Sequence, residues 1–515
     1  MGLGRTLAVG LSGVDGFVVQ VEADVSSGLP AFTVTGRADT ACAQAPDRVK
    51  AAAANSGFPL PKRRITVNLS PASVPKVGSG FDLGMVVAAL AAAGVVKDAV
   101  VGGVVHVGEL GLDGTVRPVR GTLPLAVAAA RAGARHLVVP VASSREARLV
   151  SGLQVHPVVH LEELVRRYQA LGRGRPVTAI PEPPAPVGLA SPAPDLADVA
   201  GQVEARMALE IAAAGGHHLL LSGAPGAGKS MLAERLPGLL PPLSDHQAME
   251  VSAIQSILGT LTHTDGLVRR PPFVAPHHGA SAVALVGGGS TLVLPGAVTQ
   301  AHHGVLFLDE APEFRPGVLQ ALRQPIETGQ VVVARSLGSF RFPCEFQLVL
   351  AANPCPCGMA YGKGGACSCS PQQVRLYGNR LSGPVLDRVD IQVHVPTPSR
   401  AAIAGGPGES TGVVAARVAT ARAAQQERWR QLPGARYAVN ARVPGPVLRR
   451  SPWRLLPGDT VDLDRAVDRG LLSLRGYDRC LRLAWTAADL RGAARPGRDD
   501  VGLALSLRHR PAVAA

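Results

Sequence analysis

The chain reads as an α/β protein in three parts: an α+β domain over residues 1–170, a phosphate-binding core with a parallel sheet over 198–400, and a helical domain over 401–515. Three observations predict this. Gly223 to Ser230 (G-A-P-G-A-G-K-S) meet G-x-x-x-x-G-K-[ST] at every fixed position, directly behind the apolar run Leu219-Leu220-Leu221. Strand-like and helix-like segments alternate from about Asp198 to Val395, which calls for a helix-flanked parallel sheet. A Pro-rich text, G-R-G-R-P…P-E-P-P-A-P…S-P-A-P, occupies residues 171–197 and reads as a semi-rigid linker.

Composition bounds the rest. With 46% hydrophobic and 17% charged residues over 515 positions, the chain is globular and long enough for about three cores. The longest apolar run, Leu83 to Val96, is shorter than the roughly 20 residues that span a bilayer, so it reads as a buried helix and no membrane partner is expected. Arg5 is not followed by an apolar core and cleavage site, so a cytoplasmic location is expected. A net charge of +14 suits a polyanionic partner, although lysines stand only at 50, 62, 76, 97, 229 and 363 and an Arg bias also follows from a GC-rich genome. Seven cysteines, four of them between Cys355 and Cys369, are no secreted disulfide framework.

In the first domain, Phe17–Val21 and Arg64–Leu69 read as strands, and 41–54 and 123–132 as helices. The segment V-E-A-R-M-A-L-E-I-A-A-A then leads as a helix into the phosphate cradle. There Gly223, Gly226 and Gly228, with Ala224, Pro225 and Ala227 between them, let the backbone turn and aim its N–H groups at phosphates. Lys229 would reach the β- and γ-phosphates of ATP, and the Ser230 hydroxyl would bind Mg2+. The competing reading is a Gly-rich strand-to-helix turn without a ligand. Gly304 to Glu310 is an apolar strand ending in two carboxylates: Asp309 to hold Mg2+ through its water shell, Glu310 to take a proton from the attacking water. Alone that pair is unspecific; behind a phosphate cradle it is not. Phe346 to Asn353 is a further buried strand, whose terminal Asn353 would sit between the ends of the first two strands and orient the water, or else simply cap the turn before Pro354. After about Gly412, Ala, Arg and Leu recur at helical spacing, interrupted between Pro444 and Pro457.

Cys355-x-Cys357 and Cys367-x-Cys369 bracket a Gly-rich loop, so four thiolates could hold one structural Zn2+; free thiols are the alternative. Cys42, Cys344 and Cys480 read as small apolar residues. His277, His278, His302 and His303 read as loop and packing residues, since adjacent side chains rarely point the same way on one element.

The order of P-H-H-G-A-S (Pro276 to Ser281), V-G-G-G-S (Val286 to Ser290), L-D-E-A-P-E-F (Leu308 to Phe314), A-L-R-Q-P-I-E-T-G (Ala321 to Gly329), N-P-C-P-C-G (Asn353 to Gly358) and N-R-L-S-G-P-V-L-D-R-V-D (Asn379 to Asp390) resembles the magnesium-chelatase-like AAA+ ATPases of the YifB/ComM group. Val21 to Gly36 and Arg63 to Ala72 look like that group's N-terminal, Lon-protease-like domain. The resemblance implies an AAA+ core with a C-terminal helical lid, ATP and Mg2+ as ligands, and Arg388 as an arginine finger reaching a neighbour's γ-phosphate in a homo-hexameric ring. It also implies Arg475 as a lid arginine contacting nucleotide in its own subunit, and pore-directed loops within 270–296. No peptidase activity is expected: Gly80 stands at the nucleophile's place with Ser79 one position early, Leu123 stands at the lysine's place, and no base is offered to a serine. The ComM-like branch implies DNA as the polymer, with branch migration or helicase action in homologous recombination and natural transformation. A protein-remodelling or metal-inserting ATPase is the competing class.

Overall fold

A computed structural model describes residues 2–175, 193–261, 266–289, 293–335, 338–360, 367–381, 383–400, 404, 406–432 and 437–508. Most of the expected linker, with Ser290 and Lys363, lies outside the described residues.

The first domain is built on a seven-stranded mixed sheet of β1 (Gly2–Ser12), β2 (Asp15–Ser26), β3 (Ala31–Thr35), β4 (Arg64–Ser70), β5 (Val104–His106), β6 (His136–Pro140) and β7 (Gln154–Val158), in the order β3-β4-β2-β1-β5-β6-β7. The apolar run beginning at Leu83 forms helix Asp82–Ala92, buried along its whole length as its all-round hydrophobicity requires. Among the described residues no helix is long and apolar enough to cross a membrane.

The core sheet has five parallel strands: β8 (Leu219–Ser222), β9 (Phe273–Val274), β10 (Val305–Leu308), β11 (Gln347–Ala352) and β12 (Ile391–His394), in the order β9-β10-β11-β8-β12. Leu219 to Leu221, Val305 to Leu308 and Leu348 to Ala351 are buried, as strands covered on both faces must be. The order places β11 between β8 and β10, so the residues that follow these three strands emerge side by side at one edge. Residue 273 already belongs to this sheet, so the expected insertion at 270–296 begins with a core strand; helix Ala282–Val286 and a short hairpin, Gly287–Gly288 with Leu294–Pro295, follow it.

The core begins by Asp195, since Leu196 and Val199 are buried in it and Asp195 caps a short 3-10 turn. The C-terminal helices Thr411–Arg430 and Leu474–Leu490 pack on helix Val203–Gly215, and Trp429 and Trp485 share one apolar cluster with Leu219 and Val349. The lid therefore shares its core with the nucleotide domain.

Helix Asp245–Leu258, started by the capping box of Ser244 and Gln247, links the core to the first domain. Ser256 hydrogen-bonds the buried Glu146 carboxylate, which also accepts the Leu123 N–H at 2.6 Å, and the Gly121 N–H donates to the Ser256 carbonyl at 3.1 Å.

Asp390 ties the lid to the sheet. Its carboxylate accepts the His218 N–H at 3.0 Å, pairs with Arg479 of helix Leu474–Leu490, and lies 3.6 Å from His217 Nδ1. Burial pushes its pKa up, but Arg479 and His217 outweigh burial and hold it well below the usual carboxylate range. A depressed folded-state pKa gives stability that is complete above the unfolded-state value and is lost as pH falls through the folded one. Asp390→Asn is therefore expected to cost about 2–3 kcal/mol at neutral pH, since it leaves the half-buried Arg479 without its buried counter-charge, with the deficit closing below about pH 4. Urea unfolding followed by tryptophan fluorescence checks this, because Trp429, Trp453 and Trp485, the chain's 3 tryptophans, all lie in the lid.

Candidate nucleotide site

Gly226 and Gly228 take φ values of +76° and +92°, a region that side chains with a Cβ rarely adopt, and a Cβ on Gly223 would stand 2.4 Å from the Val395 carbonyl oxygen. The glycine pattern is thus required by the turn itself. The N–H groups of Gly226, Gly228, Lys229 and Ser230 meet no backbone acceptor among the described residues. With the start of helix Lys229–Leu239 behind them, they form an anion cradle. Lys229, 8% exposed, donates to the carbonyls of Gly223 (2.8 Å) and Ala224 (2.9 Å) and to Asn353 Oδ1 (3.0 Å). Burial lowers its pKa, and Asp309 and Glu310 pull it back up.

Ser230 Oγ donates to Asp309 Oδ2 at 2.8 Å, so the hydroxyl and carboxylate that would share Mg2+ already face each other. Glu310 stands next to them at φ +49°, a left-handed conformation that costs about 1–3 kcal/mol in a non-glycine residue and gathers at functional sites. Its Oε2 lies 3.1 Å from His278 Nδ1. The expected Asn353 falls beside Lys229, next to the cradle; Ala224, Pro225 and Ala227 fill the loop between the glycines. The residues present fit a nucleoside triphosphate with Mg2+.

The two arginines are elsewhere. β12 runs parallel to β8 with Ile391 opposite Leu219, so Arg388 precedes the sheet at the edge opposite the cradle. Arg388 is buried and pairs with Glu327; Arg475 is exposed, 3.3 Å from Asp387 Oδ2. Both line one cavity of about 200 Å3 with Arg479 and Arg482. Arg475, expected as a lid arginine, lies with Arg388 at the end of the sheet opposite the cradle of its own chain. Helix Leu474–Leu490 is anchored through Arg479 to Asp390, at the far end of the strand, which carries Arg475 away from its own cradle.

All four sulfurs of Cys355, Cys357, Cys367 and Cys369 lie within 4.8 Å of one another, with Cys355–Cys357 at 3.3 Å, Cys357–Cys367 at 3.6 Å and Cys355–Cys367 at 3.8 Å. Four thiolates at about 2.3 Å around a tetrahedral Zn2+ would be about 3.8 Å apart, so the set fits that ion. The Met359 N–H and the Cys355 thiol draw Cys357 down to about 6. The same turn packs on the cradle, for a Cβ on Gly358 would stand 2.5 Å from Pro225.

Two further expectations change. Ser79 donates a hydrogen bond to the Glu109 carboxylate, so a carboxylate does adjoin it, whereas Leu123 at the lysine's place is wholly buried. Adjacent histidines do face the same way. The His302 and His303 rings are 3.8 Å apart and both approach Glu250, because φ of +57° at His303 folds the chain back where an extended segment would send the two side chains apart. Glu250 as the neighbour of His302 and His303, and His278 as the neighbour of Glu310, are not legible in sequence: no motif joins these distant positions.

A five-stranded parallel sheet with a glycine cradle after β8, an acidic pair after β10 and an asparagine after β11 defines a P-loop nucleotide-binding core of the AAA+ class. Comparison with known proteins then fixes the family. Residues 195–403 match magnesium chelatase subunit ChlI, 21–143 match subunit ChlI of Mg-chelatase, and 408–508 match the ChlI C-terminal region. The chain is 48% identical to an uncharacterized protein of Mycobacterium tuberculosis over 511 residues, 99% of each chain. It is 39% identical to the uncharacterized protein YifB of Escherichia coli over 483 residues (93% of this chain, 91% of YifB) and 39% identical to competence protein ComM of Haemophilus influenzae over 482 residues (93% and 92%). The chain belongs to the magnesium-chelatase-like AAA+ ATPase family, in the group of YifB and ComM.

Removing the ammonium by Lys229→Ala is expected to weaken ATP binding about 10- to 100-fold, the worth of a charge-assisted hydrogen bond, while leaving thermal unfolding near wild type. Equilibrium dialysis with ATP and Mg2+ measures it.

Proposed function

We propose that the protein hydrolyses ATP as a ring-forming, hexameric motor and that DNA is the polymer it acts on. The observation that carries the ATPase reading is the Ser230–Asp309 contact beside Glu310. Bound there, Mg2+ would neutralise charge on the phosphate oxygens. Ser230 and Asp309 hold the metal, Lys229 and the loop N–H groups orient the phosphates, Glu310 accepts a proton from water, and Asn353 fixes that water's position. Glu310 must leave His278 to act, which makes its release a condition of turnover.

What supports a ring is the gathering of Arg388 and Arg475 in one cavity at the end of the sheet remote from the cradle. A four-residue strand is about 13 Å long, beyond reach of either guanidinium, so both arginines serve the nucleotide of a neighbouring subunit. What supports DNA is the net charge of +14 and the likeness to a competence protein. The four cysteines hold a structural Zn2+ that stiffens the turn lying on the cradle.

Glu310→Gln is expected to retain ATP binding and lose about 10^2- to 10^4-fold in hydrolysis rate. Branched DNA is expected to stimulate the wild-type ATPase, with binding that weakens steeply with salt. No stimulation and no binding at moderate salt would instead favour a protein-remodelling or metal-inserting motor, the role the chelatase family name carries. Elemental analysis is expected to find one zinc per chain from the cysteine cluster, lost on replacing Cys355 and Cys367 by serine.

A further inference from the structure

At the edge of the core sheet opposite the cradle, three imidazole nitrogens converge on one oxygen of Glu250. His303 Nε2 is at 2.8 Å, His246 Nδ1 at 3.3 Å and His302 Nε2 at 3.5 Å from Oε2. His246 and Glu250 are four residues apart on helix Asp245–Leu258 and so share a face; His302 and His303 come from the turn that leads into β10. Among the described residues no lysine or arginine pairs with this carboxylate. Neutral rings can donate hydrogen bonds to it, but they do not offset its charge, and a cation does.

His302 and His303 play different parts. His302 Nδ1 accepts the Glu345 N–H at 2.9 Å, which fixes the proton of the neutral ring on Nε2, facing Glu250. That nitrogen is buried and makes no hydrogen bond in the present geometry. It can donate to the carboxylate but cannot offer it a lone pair, which is the part of a neighbour that orients a ligand. His303 carries the backbone strain of φ +57° noted above and presents Nε2 to the same oxygen. His246 is the exposed member, with 79% of its side chain open to solvent, and closes the group from outside.

We propose that His246 Nδ1, Glu250 and His303 Nε2 form a metal site for a divalent transition ion of borderline character, such as Zn2+, Co2+ or Ni2+, with His302 orienting the carboxylate. Two imidazoles and one carboxylate suit such ions and leave a position for water. Ligands at about 2.1 Å in a tetrahedral arrangement lie about 3.4 Å apart; His246 Nδ1 already stands at 3.3 Å from the carboxylate oxygen, while His303 Nε2, at the hydrogen-bond distance of 2.8 Å, draws back to admit the ion. The ion would join the start of helix Asp245–Leu258 to the turn before β10. Since that helix docks its other end on the first domain through Ser256 and Glu146, occupancy would stiffen the link between the two domains. The site stands independently of ATP hydrolysis and of the cysteine cluster.

Co2+ tests it, because ligand type is visible in its spectrum: thiolates give a sulfur-to-cobalt charge-transfer band, imidazole and carboxylate do not. The full chain, stripped of metal under reducing conditions, is dialysed against Co2+ alone, and bound cobalt is counted beside the absorption spectrum. Wild type is expected to hold one equivalent more than His246→Ala or Glu250→Gln, with the sulfur band the same in all three. Equal cobalt in wild type and His246→Ala would overturn the site and leave a hydrogen-bonded His–Glu cluster. His246 lies on the surface, so that variant keeps the test decisive even where Glu250→Gln fails to fold.

Discussion

The hydrogen bond from Ser230 to Asp309 joins side chains 79 positions apart, and it exists only because β11 runs between β8 and β10. Interleaving a later strand brings three strand ends to one edge: the first delivers the glycine loop, the second the acidic pair, the third Asn353. Lys229 closes the set by bonding both its own loop and Asn353. The roles assigned to Ser230, Asp309, Glu310 and Asn353 follow from that strand order, since each stands just beyond the end of one of these strands or on the helix after it.

The opposite edge carries a different load. Asp390, held ionised by Arg479 and His217, draws the lid helix onto the base of β12 and sets Arg475 beside Arg388. One chain therefore sets its glycine cradle and the Arg388–Arg475 cluster at opposite ends of the same sheet. The buried core shared by lid and sheet makes this separation rigid, so that the arginines move with the sheet.

How much was legible follows from where each signal resides. The cradle, the acidic pair and Asn353 are contiguous with apolar strands, and local pattern suffices for them; the same holds for the buried helix behind Leu83 and for the clustered cysteines. The place of Arg475 depends on how helix Leu474–Leu490 lies on the sheet, which no local pattern encodes. The facing of His302 and His303 is not legible because the periodic rule that sends neighbours apart fails at His303, whose φ is positive. Glu109 beside Ser79 escaped notice for a third reason: the two lie 30 positions apart, on a loop and a two-residue strand with no periodicity to align them.

The proposed motor requires a triphosphate bound over the loop before Ser230 and opened there by water. Release of inorganic phosphate from ATP by the purified full-length chain, followed with Mg2+ and again after its chelation, tests this most directly. Turnover that needs Mg2+ is the predicted result. A folded chain that releases no phosphate from ATP at saturating Mg2+, alone or with any polymer added, would contradict it.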